Sequence, residues 1–173
     1  MTAPLTGRIE AFIRAHELVE PGGSVACLVS GGADSTCLWH VLGALGYDVS
    51  AVHVHHGVRG AAADADADHC AAALGARVVR VEPAATEAAM RDLRYAATEG
   101  LGLRATGHTA SDQVETVLYR IVASGSTRGI KVRREDGIVR PLLDVTREDT
   151  AAYCAEHGSR CGSTRRIRRP RVG

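Results

Sequence analysis

The stretch SVACLVSGGADSTCLWHVLGALG, residues 24–46, joins three local signals without a break. SVACLVS is a short continuous apolar run, the pattern of a strand buried on both faces. STCLWHVLGALG has helical spacing and stops at Gly46. Between them, Gly31 and Gly32 permit a tight turn and leave backbone N–H groups unshielded by side chains. A buried strand, a glycine turn and a helix in that order make half of a βαβ unit, which implies a parallel sheet.

The pattern repeats on both sides. TGRIEAFIRAHELV (6–19) places Ile9, Phe12, Ile13 and Leu18 at helical spacing. Downstream, strands are predicted at VSAVHV (49–54), ARVVRVE (76–82), LRATGH (103–108) and, shorter, IVRPLL (138–143). Helices are predicted at AAADADADHCAAALG (61–75), TEAAMRDLRYAATEG (86–100), SDQVETVLYRIVAS (111–124) and TREDTAAYCAEHG (146–158), the last opened by a Thr146/Asp149 capping box. Within 111–124, Val114, Leu118, Ile121 and Val122 form an apolar stripe expected to face the core. The predicted class is α/β, a Rossmann-like doubly wound parallel sheet. In such sheets ligands bind outside the carboxyl ends of the strands, so chemistry is expected after Val29, Val54, Val81 and Thr106.

Composition sets outer bounds. A chain of 173 residues is one domain by size and long enough for a core, and with six aromatics that core must rest on Ala, Val and Leu. Apolar runs of about five residues fall far short of the about 20 that span a bilayer. The N-terminus lacks the apolar block of a signal peptide, and a cytoplasmic address is expected. Cys27, Cys37, Cys70, Cys154 and Cys161 form no C-x-x-C pair, and buried free thiols are expected. The net charge of +1 conceals an asymmetry: residues 159–173 hold six arginines and no acid, leaving 15 basic against 20 acidic residues before them. ADADADHC (63–70) has acid spacing like a calcium loop. Counting from Asp64, however, the sixth and twelfth positions are His69 and Gly75, not Gly and Glu. Asp64 and Asp68 are expected on a solvated face.

The opening loop, Ser30-Gly31-Gly32-Ala33-Asp34-Ser35, has two readings. One is a phosphate cradle: glycine amides, two hydroxyls and a helix N-terminus, with Asp34 reaching phosphate through a divalent cation. The other is a plain turn with Asp34 as helix cap. Asp112 and Glu115 share the first turn of a helix, suited either to magnesium or to the helix dipole. His53 and His55 lie on one strand face and His56 on the other; His56 and His108 stand at strand ends, where nucleotide contact is open to them. Arg91 and Arg94 form either a solvated face or an anion grip, and Arg140 before Pro141 could face the same edge.

S-G-G-A-D-S after a buried strand resembles the PP-loop of the ATP pyrophosphatases, which cleave ATP to AMP and pyrophosphate. VHVHHGVRG (52–60), MRDLRYAA (90–97), ATGHTASDQVETVLYRIVASGSTRGI (105–130) and IVRPLLDVTREDTAAYCAEHG (138–158) resemble, in order, segments of the tRNA(Ile)-lysidine synthase family. The resemblance implies a PP-loop, adenine nucleotide alpha-hydrolase fold over residues 1–158. It implies ATP and Mg2+ as cofactors, and L-lysine and tRNA(Ile) with a CAU anticodon as substrates. It also implies ligation of lysine to C2 of the wobble cytidine through an adenylated intermediate, with no membrane and a homodimer left open. By the same resemblance, Asp34, Asp112, Glu115, Arg91 and Arg94 are the catalytic candidates, with Asp34, Asp112 and Glu115 on the metal. Ser30, Gly31, Gly32, Ala33, Asp34, Ser35, His56, Gly107 and His108 would hold ATP.

Three departures stand against the family pattern. Ser111 replaces the first acid of a D-D-Q pair. GIKVRREDG (129–137) diverges from a G-L-x-G-M loop. Residues 159–173 match nothing in the family and read as an out-of-frame ending, a disordered basic tail, or an arm whose Arg165, Arg166, Arg168 and Arg169 contact phosphates. Two rival functions follow: a tRNA thiolase of the same superfamily, or an ATP-binding remnant with little activity.

Overall fold

A computed structural model describes residues 4–57 and 60–158, so the readings of the 159–173 tail and of Cys161 lie outside the described residues. Eleven elements follow in the order α1 (Leu5–Ala15), β1 (Ser24–Leu28), α2 (Ala33–Ala44), β2 (Asp48–His55), α3 (Ala61–Leu74), β3 (Arg77–Arg80), α4 (Glu87–Ala96), β4 (Arg104–Thr106), α5 (Ala110–Ser124), β5 (Ile138–Val139) and α6 (Arg147–Glu156), with a 3-10 turn at Glu99–Leu101. The five strands form one parallel sheet in the order β3-β2-β1-β4-β5. The chain therefore builds outward from β1 to β3, then crosses back to lay β4 on the other side of β1. That reversal leaves a crevice at the carboxyl ends of β1 and β4.

Alternation along β1 divides the core. Val25, Cys27 and Val29 face a large cluster with Ile9 and Ile13 of α1, Leu38, Val41 and Leu42 of α2, Leu74 of α3 and Tyr153 of α6. Ala26 and Leu28 face a smaller one with Val52, Ile138 and Tyr95 of α4. Burial of both faces is what the unbroken apolar run of β1 requires. Cys27, Cys37, Cys70 and Cys154 are buried and in no disulfide, as expected for small apolar side chains. Burial pushes the Cys27 thiol up to about 12. Among the described residues no helix is long and apolar enough to cross a membrane.

One expectation fails. The stripe on α5 does not face the core: Val114, Leu118, Ile121 and Val122 are all exposed, Val122 at 88%, together with Tyr119 at 70%. The helix is fixed by its polar side instead. Gln113 Nε2 donates to the Ile130 carbonyl, Arg120 donates to the carbonyls of Arg128 and Gly129, and the Ala110 amide donates to the Val145 carbonyl. A helical period identifies an apolar face but not which way the helix is turned. Asp64 and Asp68 are exposed, as expected, and Asp64 Oδ1 also lies 3.0 Å from His55 Nε2 and 3.5 Å from Arg80.

Candidate active site

The loop between β1 and α2 is built by its own polar groups. Ser30 N donates to Ser35 Oγ at 3.0 Å, and the two serine hydroxyls stand 3.2 Å apart. Gly31 takes φ +81°, a conformation that L side chains rarely adopt. Gly32 is the N-cap of α2 and no side chain caps the helix. Asp34 therefore is not a cap. Its carboxylate instead accepts from the Thr150 hydroxyl on α6. Burial pushes the Asp34 carboxyl up, the Thr150 hydrogen bond pulls it down, and the charge of Asp112 pushes it up again, leaving it above the usual carboxylate range.

A cleft of about 760 Å3 opens beside this loop, within the size range of small-molecule sites. Its lining comes from the ends of β1, β2 and β4, the edge where such sheets bind ligands, and from α2, α3, α4 and α5. Ser30, Asp34, Ser35, His56, Gly107, His108, Arg91, Arg94 and Asp112 all line it, as do His53 and His55. The strand end after Val81 contributes nothing to it. Gly107 earns its place sterically: a Cβ there would sit 2.9 Å from the backbone nitrogen of Ser35 and 3.0 Å from the carbonyl carbon of Asp34. Close approach of this turn to the start of α2 is possible only for glycine.

Three histidines at the cleft are held neutral. Burial lowers His53, whose Nδ1 stands 2.8 Å from the Val29 carbonyl and so carries the proton. Burial, then Arg94, lowers His56, and Arg94 Nη2 lies 3.5 Å from its Nε2. Burial, then Arg140, takes His108 down to about 4, with Nδ1 2.9 Å from Thr106 Oγ1. Arg140 itself is buried with its guanidinium on the Lys131 carbonyl and does not line the cleft. The lasting positive charge at the cleft comes from Arg91 and Arg94.

The carboxylates divide. Asp112 faces the cleft with one oxygen capping α5, accepting from the Thr109 amide at 2.8 Å, and the other held by Arg147. Burial pushes its carboxyl up, but the Thr109 amide and Arg147 outweigh that and hold it below the usual range. Glu115 has a side chain 55% exposed, does not line the cleft, and is held by Arg147 at 2.5 Å. Among the described residues no three His, Cys, Asp or Glu side chains gather as a self-sufficient metal site. Asp34 and Asp112 both line the cleft and could share a divalent cation with a bound phosphate, its charge offsetting the burial that raises the Asp34 carboxyl. None of the described cysteines lines the cleft. Sequence reasoning missed Arg147 and Thr150, which touch the acids from a distant helix. Their only trace was the i, i+3 spacing on α6.

A family model described as the PP-loop domain matches residues 4–161. The tRNA(Ile)-lysidine synthase of Symbiobacterium thermophilum is 37% identical, the match covering 90% of this chain and 38% of that protein. That of Pseudomonas fluorescens is 41% identical, covering 76% of this chain and 35% of that protein. The chain thus spans under two fifths of the length of these relatives. By structure it is similar to a U34-tRNA thiolase from Methanococcus maripaludis, with a TM-score of 0.68, 14% identity and coverage of 91% of this chain and 63% of that one. An NH3-dependent NAD synthetase from Campylobacter jejuni follows at TM-score 0.51, 16% identity and coverage of 88% and 71%. At these identities the likeness is one of fold alone.

Proposed function

Because the chain belongs to the PP-loop domain family, we propose that it binds ATP in the cleft, adenylates a tRNA base and transfers lysine to it. The substrate on this reading is the wobble cytidine of tRNA(Ile) with a CAU anticodon. The C2 carbonyl oxygen attacks the α-phosphorus of ATP, the bond to pyrophosphate breaks, and an adenylated base remains. The lysine amine then attacks C2, gives up a proton, and AMP leaves with the former carbonyl oxygen. The product is lysidine.

The observation that carries this reading is the cleft wall itself. Ser30, Asp34 and Ser35 line it with Asp112, Arg91 and Arg94, and the Gly31-Gly32 turn and the start of α2 lie between Ser30 and Asp34 in the chain. The turn and helix end would take phosphate oxygens. Asp34 and Asp112 would hold Mg2+, which when bound neutralises phosphate charge. Arg91 and Arg94 would grip the α-phosphate or the lysine carboxylate, both of which match a guanidinium fork. The neutral histidines would offer hydrogen bonds without adding charge that traps the product. The cytidine would have to leave its stack to enter the cleft.

The names of the relatives support lysine as the nucleophile. The test combines the full chain with tRNA(Ile), ATP, Mg2+ and radiolabelled lysine. Pyrophosphate release that requires tRNA, with label appearing in the tRNA, is expected. ATP binding without pyrophosphate release would make the chain an ATP-binding remnant, and label from a sulfur donor would make it a thiolase.

A further inference from the structure

Helix α6 presents one face to the acids of the cleft. Arg147, Thr150 and Cys154 follow one another at helical spacing and meet, in turn, the α5 acids, Asp34 and the Ala33 carbonyl. Arg147 spans Asp112 and Glu115, with Nη1 2.5 Å from Glu115 Oε1 and Nη2 3.2 Å from Glu115 Oε2 while also donating to Asp112 Oδ1. Thr150 donates to Asp34 Oδ1, and Cys154 Sγ lies 3.4 Å from the Ala33 carbonyl. The backbone amide of Arg147 donates to Ser111 Oγ at 3.2 Å. Ser111 thereby ties the start of α6 to the start of α5, holding the guanidinium at the acids.

Oxygen by oxygen, the α5 pair is occupied. Asp112 Oδ2 accepts from the Thr109 amide and hydroxyl, Asp112 Oδ1 from Arg147, and both oxygens of Glu115 from Arg147. A carboxylate oxygen in a charge-assisted bond cannot at the same time give its full charge to a metal. We propose that Arg147 is the resident cation of this acid pair, a positioning residue that competes with divalent metal. Asp112 then reaches a nucleotide-bound metal ion only by exchanging Oδ1 out of its contact with Arg147. This rests on the Mg2+–ATP reading of the cleft. Without nucleotide the acid pair resists metal, and the arginine keeps both carboxylates gathered. Glu115, outside the cleft, serves as the second anchor that pulls the guanidinium back.

The experiment uses the full chain without nucleotide and titrates Mn2+ by electron paramagnetic resonance. Replacing Arg147 by Gln removes one positive charge a few ångström from the pair, and Mn2+ is expected to bind about tenfold more tightly. Arg147→Lys keeps a charge but loses the fork that bridges two carboxylates, and is expected to gain about threefold. The gain should vanish in Arg147→Gln combined with Glu115→Gln, whose altered glutamate lies outside the cleft. If Arg147→Gln does not fold, Arg147→Lys alone is decisive. Mn2+ affinity unchanged or weakened in the folded variants overturns the proposal. A separate titration with Mg2+ and ATP tests the nucleotide reading: failure there with a gain in Mn2+ binding sinks the reading but leaves the arginine's competition intact.

Discussion

Thr150 on α6 donates its hydroxyl hydrogen to Asp34 on α2, joining residues 116 positions apart at the wall of the cleft. Thr150→Val keeps the shape and removes the donor, leaving a half-buried carboxylate oxygen unsatisfied. The expected cost is about 1–3 kcal/mol at pH 7. The folded Asp34 carboxyl is already raised, so its contribution to stability is fully present below the unfolded pKa and is lost as pH rises through the folded one. Losing Thr150 raises it further. Urea denaturation should therefore show a larger loss at pH 7 than at pH 4, and equal losses would contradict the assignment.

His108 works in the opposite direction. Its folded pKa is lowered to about 4 from the usual 6.5, so between those values the unfolded chain binds a proton that the folded chain does not. Folding stability should fall as pH drops through that window. In His108→Asn this part of the acid loss should disappear, flattening the stability profile from pH 6.5 to 4. A variant profile parallel to that of the wild type would show that His108 is not held neutral.

Gly107 and Gly43 make a matched pair. Gly107→Ala drives a methyl into the backbone at Ser35, whereas a Cβ at Gly43, inside α2, meets nothing within 4 Å. Gly107→Ala should cost about 1–3 kcal/mol and shift the loop after β1. Gly43→Ala should stabilise by about 0.5–1 kcal/mol through helix propensity. Thermal melts of both, with ATP titrations, check the contrast.

The exposed stripe of α5 sets a further comparison. Val122→Ser, at a position 88% exposed, should change stability by less than about 0.5 kcal/mol, while Leu42→Ala in the fully buried core should cost about 2–5 kcal/mol. Denaturation midpoints of the two variants measure this. A large loss at Val122 would mean that the stripe is covered in the isolated chain.

Much of this arrangement is written locally. The apolar run of residues 25–29, the glycine turn and the Thr146/Asp149 capping box each carry their structure in a few adjacent residues, and each is found in place. The sheet edge that bears the cleft follows from strand–helix alternation alone. What local pattern does not carry is the partner across the fold. The spacing of Val114, Leu118, Ile121 and Val122 is the same whether that face meets a core or solvent, and the polar anchors Gln113 and Arg120 decide the matter. Asp112 and Glu115 look like a simple acid pair until Arg147, more than thirty residues later, is placed between them. Ser111, which reads as a lost acid, becomes the acceptor for the first amide of α6.

Calorimetric titration of ATP into the full chain, with and without Mg2+, against the Asp34→Asn variant, bears on the loop after β1 as a phosphate and metal site. Asparagine can still accept from Thr150, so the fold is kept while the charge is lost. The wild type should bind ATP at least tenfold more tightly with Mg2+ than without it, and the variant should lose that Mg2+-dependent gain. Equal Mg2+-dependent binding by both proteins would show that Asp34 holds no metal and that the cleft does not work as described.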